Sequence, residues 1–222
     1  MSGRRLRDSY YTAAWATERL LDHVDIRGGL FEPCVGQGHI ANVFRRRLFS
    51  VRTNDIDPNI AADMHKDART LQLTQRPDWV VSNPPFSEVL PSGKVKTICT
   101  AIARNLLDQC EVGMALLLRL SFWEPTKEDG RGEFLAEHPP TTFISVPRIS
   151  FTGDGKTDSV GTGWFVWEKC RCGSFIQEEG RERIRHSSEA HDDACPSQRQ
   201  RMVVVEHKAG SAAVPPLPGM RA

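Results

Sequence analysis

GGLFEPCVGQGHIANVF, residues 28–44, passes from a glycine turn through a short apolar strand and a second glycine loop into a helix. Gly28 and Gly29 interrupt the chain, and Leu30-Phe31 begins a strand. Gly36 and Gly38 let the backbone turn tightly, and Ile40 to Leu48 reads as a helix. Strand, glycine loop, helix is the opening unit of an open α/β sheet.

The chain on either side continues that alternation. Before the unit, Ala13 to Val24 has Leu20, Leu21 and Val24 on one helical face. After it, FSVRTND is a second strand ending in the acidic run Asp55-Ile56-Asp57-Pro58, and a weak third unit ends near Lys66-Asp67-Ala68. DWVVSN is a fourth strand, Thr97 to Asp108 a helix, and VGMALLLRL is apolar enough to lie inside the sheet. TFISVP and GWFVWEK complete a mostly parallel, Rossmann-like seven-stranded sheet with helices on both faces. Trp164 and Trp167, three apart, need not share a side of their strand, and both read as packing.

Composition bounds the rest. The chain has 222 residues, 39% of them apolar and 26% charged, which suits one core plus a tail. No apolar run is long enough to span a bilayer, and MSGRRLRDSYY has no apolar segment after its basic residues, so the expected setting is cytoplasmic. Net charge is +1, which excludes a protein that coats nucleic acid through a global basic field. The local clusters Arg4, Arg5, Arg7 and Arg45, Arg46, Arg47 are read first as solvated faces. Six cysteines lack a regular framework and are expected as thiols. Cys170 and Cys172 with distant histidines lack zinc-finger spacing, so no metal is expected. The folded domain is placed at 1–175, and the polar 176–222 is expected to be a largely disordered tail in which RMVVVEH forms a short strand or a partner-binding stretch.

In open parallel sheets ligands bind beyond the carboxyl ends of the strands. Glu32 to Gly38, Asp55 with Asp57, Asp67, and Asn83 to Phe86 all fall there, so four strand ends address one crevice. EPCVGQG lacks the GxGxxG spacing and no GKT or GKS follows it, which argues against a phosphate cradle. An acid at the end of the second strand suits ribose hydroxyls, and either Asp55 or Asp57 fits that role. A cofactor with a ribose but no pyrophosphate satisfies both observations. VVSNPPF, residues 80–86, ends a strand in two prolines, which fix φ, remove two N–H donors and keep Asn83 out of the helical region.

EPCVGQG followed by NPPF at this separation resembles the class I S-adenosylmethionine-dependent amino methyltransferases, most closely the N6-adenine DNA methyltransferases, over about residues 8–170. The resemblance implies a class I methyltransferase fold and S-adenosylmethionine as cofactor. It places Tyr11 and Thr12 near the methionine end, although Ala13 stands where the family usually has proline. It further places Glu32, Pro33, Gly36 and Gly38 in the methionine-binding loop, Asp55 or Asp57 at the ribose and Asp67 by the adenine amine. Asn83, Pro84, Pro85 and Phe86 become the catalytic motif, with the Asn83 oxygen and the Pro84 carbonyl accepting from the target amine and Phe86 stacking on its base. RISFTGDGKTDSV resembles a segment of phage-type members; Phe151 is read either as a second face of a base sandwich or as core, and Arg148 and Lys156 as phosphate contacts or parts of a plain loop.

The implied reaction is methyl transfer to adenine N6 in DNA, on a flipped or unpaired base, with low or short sequence specificity and DNA as partner. The same chemistry on adenine in RNA or on a protein glutamine amide remains an alternative, as does a non-catalytic binding module of the same fold. No covalent intermediate is implied, so none of the cysteines is needed as a nucleophile.

Overall fold

The computed structural model describes residues 12–125, 130–147, 161–169, 173–178, 181–186 and 201–204. Strands β1 (Leu30–Glu32), β2 (Val51–Thr53), β3 (Trp79–Ser82), β6 (Gly113–Arg119), β7 (Thr142–Val146), β8 (Thr162–Glu168) and β11 (Arg201–Val204) form one sheet. Its order is β11-β7-β8-β6-β3-β1-β2. Every strand but β8 runs in one direction, since β8 is antiparallel to both β6 and β7. Helices α1 (Ala14–His23), α2 (His39–Arg46), α3 (Cys99–Leu107) and α4 (Arg131–Glu137) complete the layers. No helix among the described residues is long and apolar enough to cross a membrane.

The two-residue period of the strands sorts the core into two halves. On β6, Met114, Leu116 and Leu118 face the cluster that holds Ile102 and Leu106 of α3 and Phe134 of α4. Ala115 and Leu117 face the opposite cluster, with Ala16 and Leu20 of α1 and Ile40 and Phe44 of α2. Trp164 and Trp167 of β8 fall in different clusters, as a spacing of three along a strand requires. Both indole N–H groups are satisfied: Trp164 Nε1 donates to the Ala16 carbonyl at 2.7 Å and Trp167 Nε1 to the His138 carbonyl at 2.8 Å. The first bond ties α1 to the middle of the sheet. Fully burying side chains of this size stabilises by about 1.5–3 kcal/mol each.

The strand inventory differs from the expected one at two places. No strand forms near residues 66–68; a single parallel bridge, Asn54 to Met64, stands beside β2 instead. Side chains take over the hydrogen bonds that a ladder would supply. Asp63 Oδ2 accepts from the Thr53 backbone N–H at 2.7 Å and from Thr53 Oγ1 at 2.9 Å. Asn54, fully buried, donates through Nδ2 to the carbonyls of Pro33 and Lys66, both at 2.9 Å, and accepts through Oδ1 from the Lys66 N–H at 2.9 Å. The seventh strand comes from RMVVVEH: β11 pairs parallel with β7 from Arg201↔Thr142 to Val204↔Ser145.

Two hairpins stand outside the main sheet. β9 (Gly173–Glu178) and β10 (Arg181–His186) pair antiparallel, so within the 176–222 stretch expected to be largely disordered, residues 176–178 and 181–186 form strands, as does β11. Backbone pairing is available to polar residues that cannot build a core. The other hairpin, β4 (Ser87–Val89) and β5 (Val95–Thr97), follows NPPF directly and precedes α3. Its return is fixed by Ile98, whose N–H donates to the Phe86 carbonyl at 2.9 Å.

Asn54→Ala leaves the buried Pro33 carbonyl and the part-buried carbonyl and N–H of Lys66 without their partner, and we expect it to cost about 2 kcal/mol of folding free energy. Denaturant titration at equilibrium measures it, and a loss below about 1 kcal/mol would show that water replaces the amide there.

Candidate active site

The carboxyl ends of β1, β2 and β3 open on a cavity of about 380 Å³, within the range of small-molecule sites. Thr12, Glu32, Pro33, Gly36, Asp55, Asp57, Asp67, Asn83 and Pro85 all line it. The parallel register explains the convergence: Leu30 pairs with Val51 on one side and Trp79 on the other, so the three strands end side by side.

The first loop is held by the carboxylates around it. Gly36 and Gly38 have φ of 51° and 75°, the left-handed region that glycine enters without a Cβ penalty. Asp55 Oδ2 accepts from the Gly36 N–H at 2.9 Å, and its Oδ1 accepts from the Asp57 N–H at 2.9 Å. Asp55 thus fastens the first loop to the second while facing the cavity. Gly38 is not in the cavity wall; it caps α2 and carries no capping side chain. Glu32 does that work from the end of β1, its Oε2 accepting from the Ala41 N–H in the first turn of α2 at 2.8 Å. An anion there satisfies one of the free N–H groups of the helix start. Burial nevertheless dominates, and it holds the Glu32 carboxyl well above the usual range.

Asp67 is a further acid of the wall. Arg69 binds it through Nε at 2.9 Å to Oδ1 and through a terminal nitrogen at 2.6 Å to Oδ2, which lowers the Asp67 pKa. The other terminal nitrogen of Arg69 reaches Glu88 Oε1 of β4 at 2.7 Å. Arg69 therefore ties the hairpin after NPPF to the cavity acid. Ser87, Glu88 and Val89 are themselves wall residues, which no sequence signal announced. An arginine two residues beyond an acid is too common to single out from sequence.

Asn83 stands at the mouth of the cavity, half-buried, with Nδ2 donating to Thr12 Oγ1 at 3.1 Å. Pro84 is buried behind it, outside the wall. Phe86 is half-buried against the α3 side of the core, and the Arg119 guanidinium sits over its ring at 4.7 Å. One face of the ring is thus covered by the last residue of β6, and Phe86 is not among the residues lining the cavity. His39 begins α2 as expected of a helix N-terminal residue. Burial raises the Cys34 thiol well above its ordinary value, so it stays protonated and unreactive at neutral pH. Tyr11, Arg148, Phe151 and Lys156 lie outside the described residues, as do Cys170 and Cys172.

The donor set fits S-adenosylmethionine. Three carboxylates, Glu32, Asp55 and Asp67, share a cavity whose remaining wall includes Val35, Ile56, Ile60 and Ile102. Such a wall complements a ligand with an ammonium group, a ribose diol and a flat apolar base.

Glu32 has its folded pKa raised, so its contribution to stability is greatest below its unfolded pKa of about 4.3 and declines as pH rises from there toward the folded pKa. Glu32→Gln keeps an acceptor for the Ala41 N–H without the buried charge. We expect the ligand-free variant to melt above the wild type at pH 7, by about 2–4 °C for each kcal/mol recovered, with the difference vanishing near pH 4. Thermal melts across that range check it; a variant melting lower at pH 7 would show the charge to be stabilising.

No protein-family model matches the chain, and no curated protein does. Solved structures are similar in fold. One described as a class I S-adenosylmethionine-dependent methyltransferase of Listeria monocytogenes aligns with TM-score 0.52 and 11% identity over 76% of this chain and 61% of its own. The methyltransferase subunit of a type I restriction-modification system from Streptococcus thermophilus gives 0.53 and 16% over 80% and 50%. A protein of Lactococcus lactis described as a hemolysin gives 0.50 and 12% over 79% and 91%. The chain spans about half to three-fifths of the two methyltransferases, and identities this low speak to fold alone. The fold is that of the class I S-adenosylmethionine-dependent methyltransferases.

Proposed function

We propose that the protein is an S-adenosylmethionine-dependent methyltransferase acting on the N6 amine of adenine in DNA, on a flipped or unpaired base. The observation that carries this reading is that Asn83 and Pro85 of NPPF open on the same cavity as Glu32, Asp55 and Asp67. Acceptor and cofactor acids are thereby within one ligand's reach of each other. Glu32, Asp55 or Asp57 and Asp67 would hold S-adenosylmethionine, which when bound would supply an electrophilic sulfonium methyl for transfer to the amine.

The chain's own part is orientation and electrostatics. An exocyclic amine on a heteroaromatic ring is weakly nucleophilic because its lone pair is delocalised. The Asn83 oxygen and the Pro84 carbonyl accept its two hydrogens and so favour a pyramidal nitrogen, which needs no strong base. Pro84 and Pro85 keep the two acceptors in fixed relation. Glu32 receives the ammonium end, Asp55 or Asp57 the ribose hydroxyls and Asp67 the adenine amine. Phe86 supplies a ring for stacking on the target base.

Incubation of the protein with methyl-labelled cofactor and DNA, RNA or protein, followed by nucleoside and amino-acid analysis, tests the reading. N6-methyladenine in DNA is the expected product, and Asn83→Ala lowers kcat about 10²–10³-fold with cofactor affinity little changed. Label in RNA or in glutamine with none in DNA would move the assignment to that substrate. An Asn83→Ala variant as active as the wild type would remove the motif from the chemistry.

A further inference from the structure

The side-chain amide of a catalytic asparagine is useful in one sense only. With its oxygen toward the target amine it accepts a hydrogen; turned by 180° about its last torsion it offers two donors to another donor, and the reaction stops. The two orientations are nearly equal in shape, so something besides packing must choose between them. In this fold the group next to the Asn83 amide is the hydroxyl of Thr12, two residues before the start of α1 and 71 positions away in sequence. Thr12 is 3% exposed, and its Oγ1 lies 3.1 Å from Asn83 Nδ2.

We propose that Thr12 is the positioning residue of Asn83: it accepts the Nδ2 hydrogen and so keeps Oδ1 presented to the substrate amine. This inference rests on the methyltransferase reading and deepens it. A planar amide that points its nitrogen at Thr12 holds its oxygen away from Thr12, and no other described residue bonds Asn83. A hydroxyl carries one proton and two lone pairs. With Oγ1 accepting from Asn83, the proton of Thr12 is left for an acceptor in the cavity that Thr12 itself lines. An anionic group there makes the hydroxyl a pure acceptor toward Asn83 and locks the amide in its productive sense. Thr12 thus links the occupied cavity to the orientation of the catalytic oxygen, a role distinct from contributing to cofactor affinity.

Thr12→Val keeps the shape and deletes the hydroxyl, Thr12→Ser restores the hydroxyl without the methyl, and Thr12→Ala repeats the deletion should the valine variant lose its melting transition. Each is measured for S-adenosylmethionine affinity by equilibrium titration and for kcat and KM on the nucleic-acid substrate. The expected result is a split: kcat at saturating cofactor lowered about 10–100-fold in Thr12→Val and Thr12→Ala, over and above the rise in cofactor Kd that follows loss of the hydroxyl's bond to the ligand, with substrate KM within about threefold of wild type and kcat recovered in Thr12→Ser. In wild-type protein the Asn83 side-chain amide resonances, assigned by their loss in Asn83→Ala, should shift in Thr12→Val and return in Thr12→Ser. Loss of cofactor affinity that accounts for all of the lost activity would make Thr12 a cofactor ligand only and overturn the proposal. So would a kcat unchanged in Thr12→Val. An Asn83→Ala variant with full activity would instead sink the underlying methyltransferase reading, an outcome separable from both.

Discussion

The carboxyl ends of β1 and β2 keep their shape because one buried amide, Asn54, stands where a further strand would otherwise pair. Its backbone N–H donates to the Glu32 carbonyl and its carbonyl accepts from the Val35 N–H, while its side chain bonds Pro33 and Lys66. Three loops therefore meet on one residue. One of them follows Glu32 and another carries Asp67, both acids of the cavity wall. A sheet edge normally fixes such loops by laddering the next strand against β2. Here a single bridge and the side chains of Asn54 and Asp63 do so with fewer residues.

From that frame the site is built by carboxylates with double duties. Asp55 fastens the glycine loop, Glu32 caps α2, and Asp67 anchors Arg69, yet all three face the cavity. Arg69 extends the chain of contacts to the β4–β5 hairpin, which leaves the sheet immediately after NPPF. The cavity wall is thereby in contact with the hairpin that follows NPPF. A buried acid such as Glu32 is costly to keep ionised, which is a common mark of a functional position rather than of a structural one.

Much of this was legible in the sequence, and the misses have physical causes. Helices α1, α2 and α3 and six strands of the main sheet stand where hydrophobic period and glycine placement put them, because those signals report burial directly, whereas α4 (Arg131–Glu137) has only seven residues and was not anticipated. The cavity acids and Asn83 were found for a topological reason, since strand ends in parallel sheets are where ligands bind. The third strand failed because MHKDA was read by position in an alternating pattern, whereas its hydrogen bonds go to Asn54 and Asp55. The β4–β5 hairpin was missed because SEVLPSGKVKT buries little and so has no apolar alternation to read. Arg69, Arg119 and the Thr12–Asn83 bond depend on contacts across 2, 33 and 71 positions, and only the folded chain brings the last two together.

The central claim is that the acids at the ends of β1 and β2, together with Asp67, form one cofactor pocket. Equilibrium titration of S-adenosylmethionine against the purified chain and its Asp55→Ala and Asp67→Ala variants tests it most directly. One molecule bound per chain, with affinity weakened at least tenfold in each folded variant, is the predicted result. A wild-type chain that binds no S-adenosylmethionine, or variants that bind it as tightly as the wild type, would contradict the account.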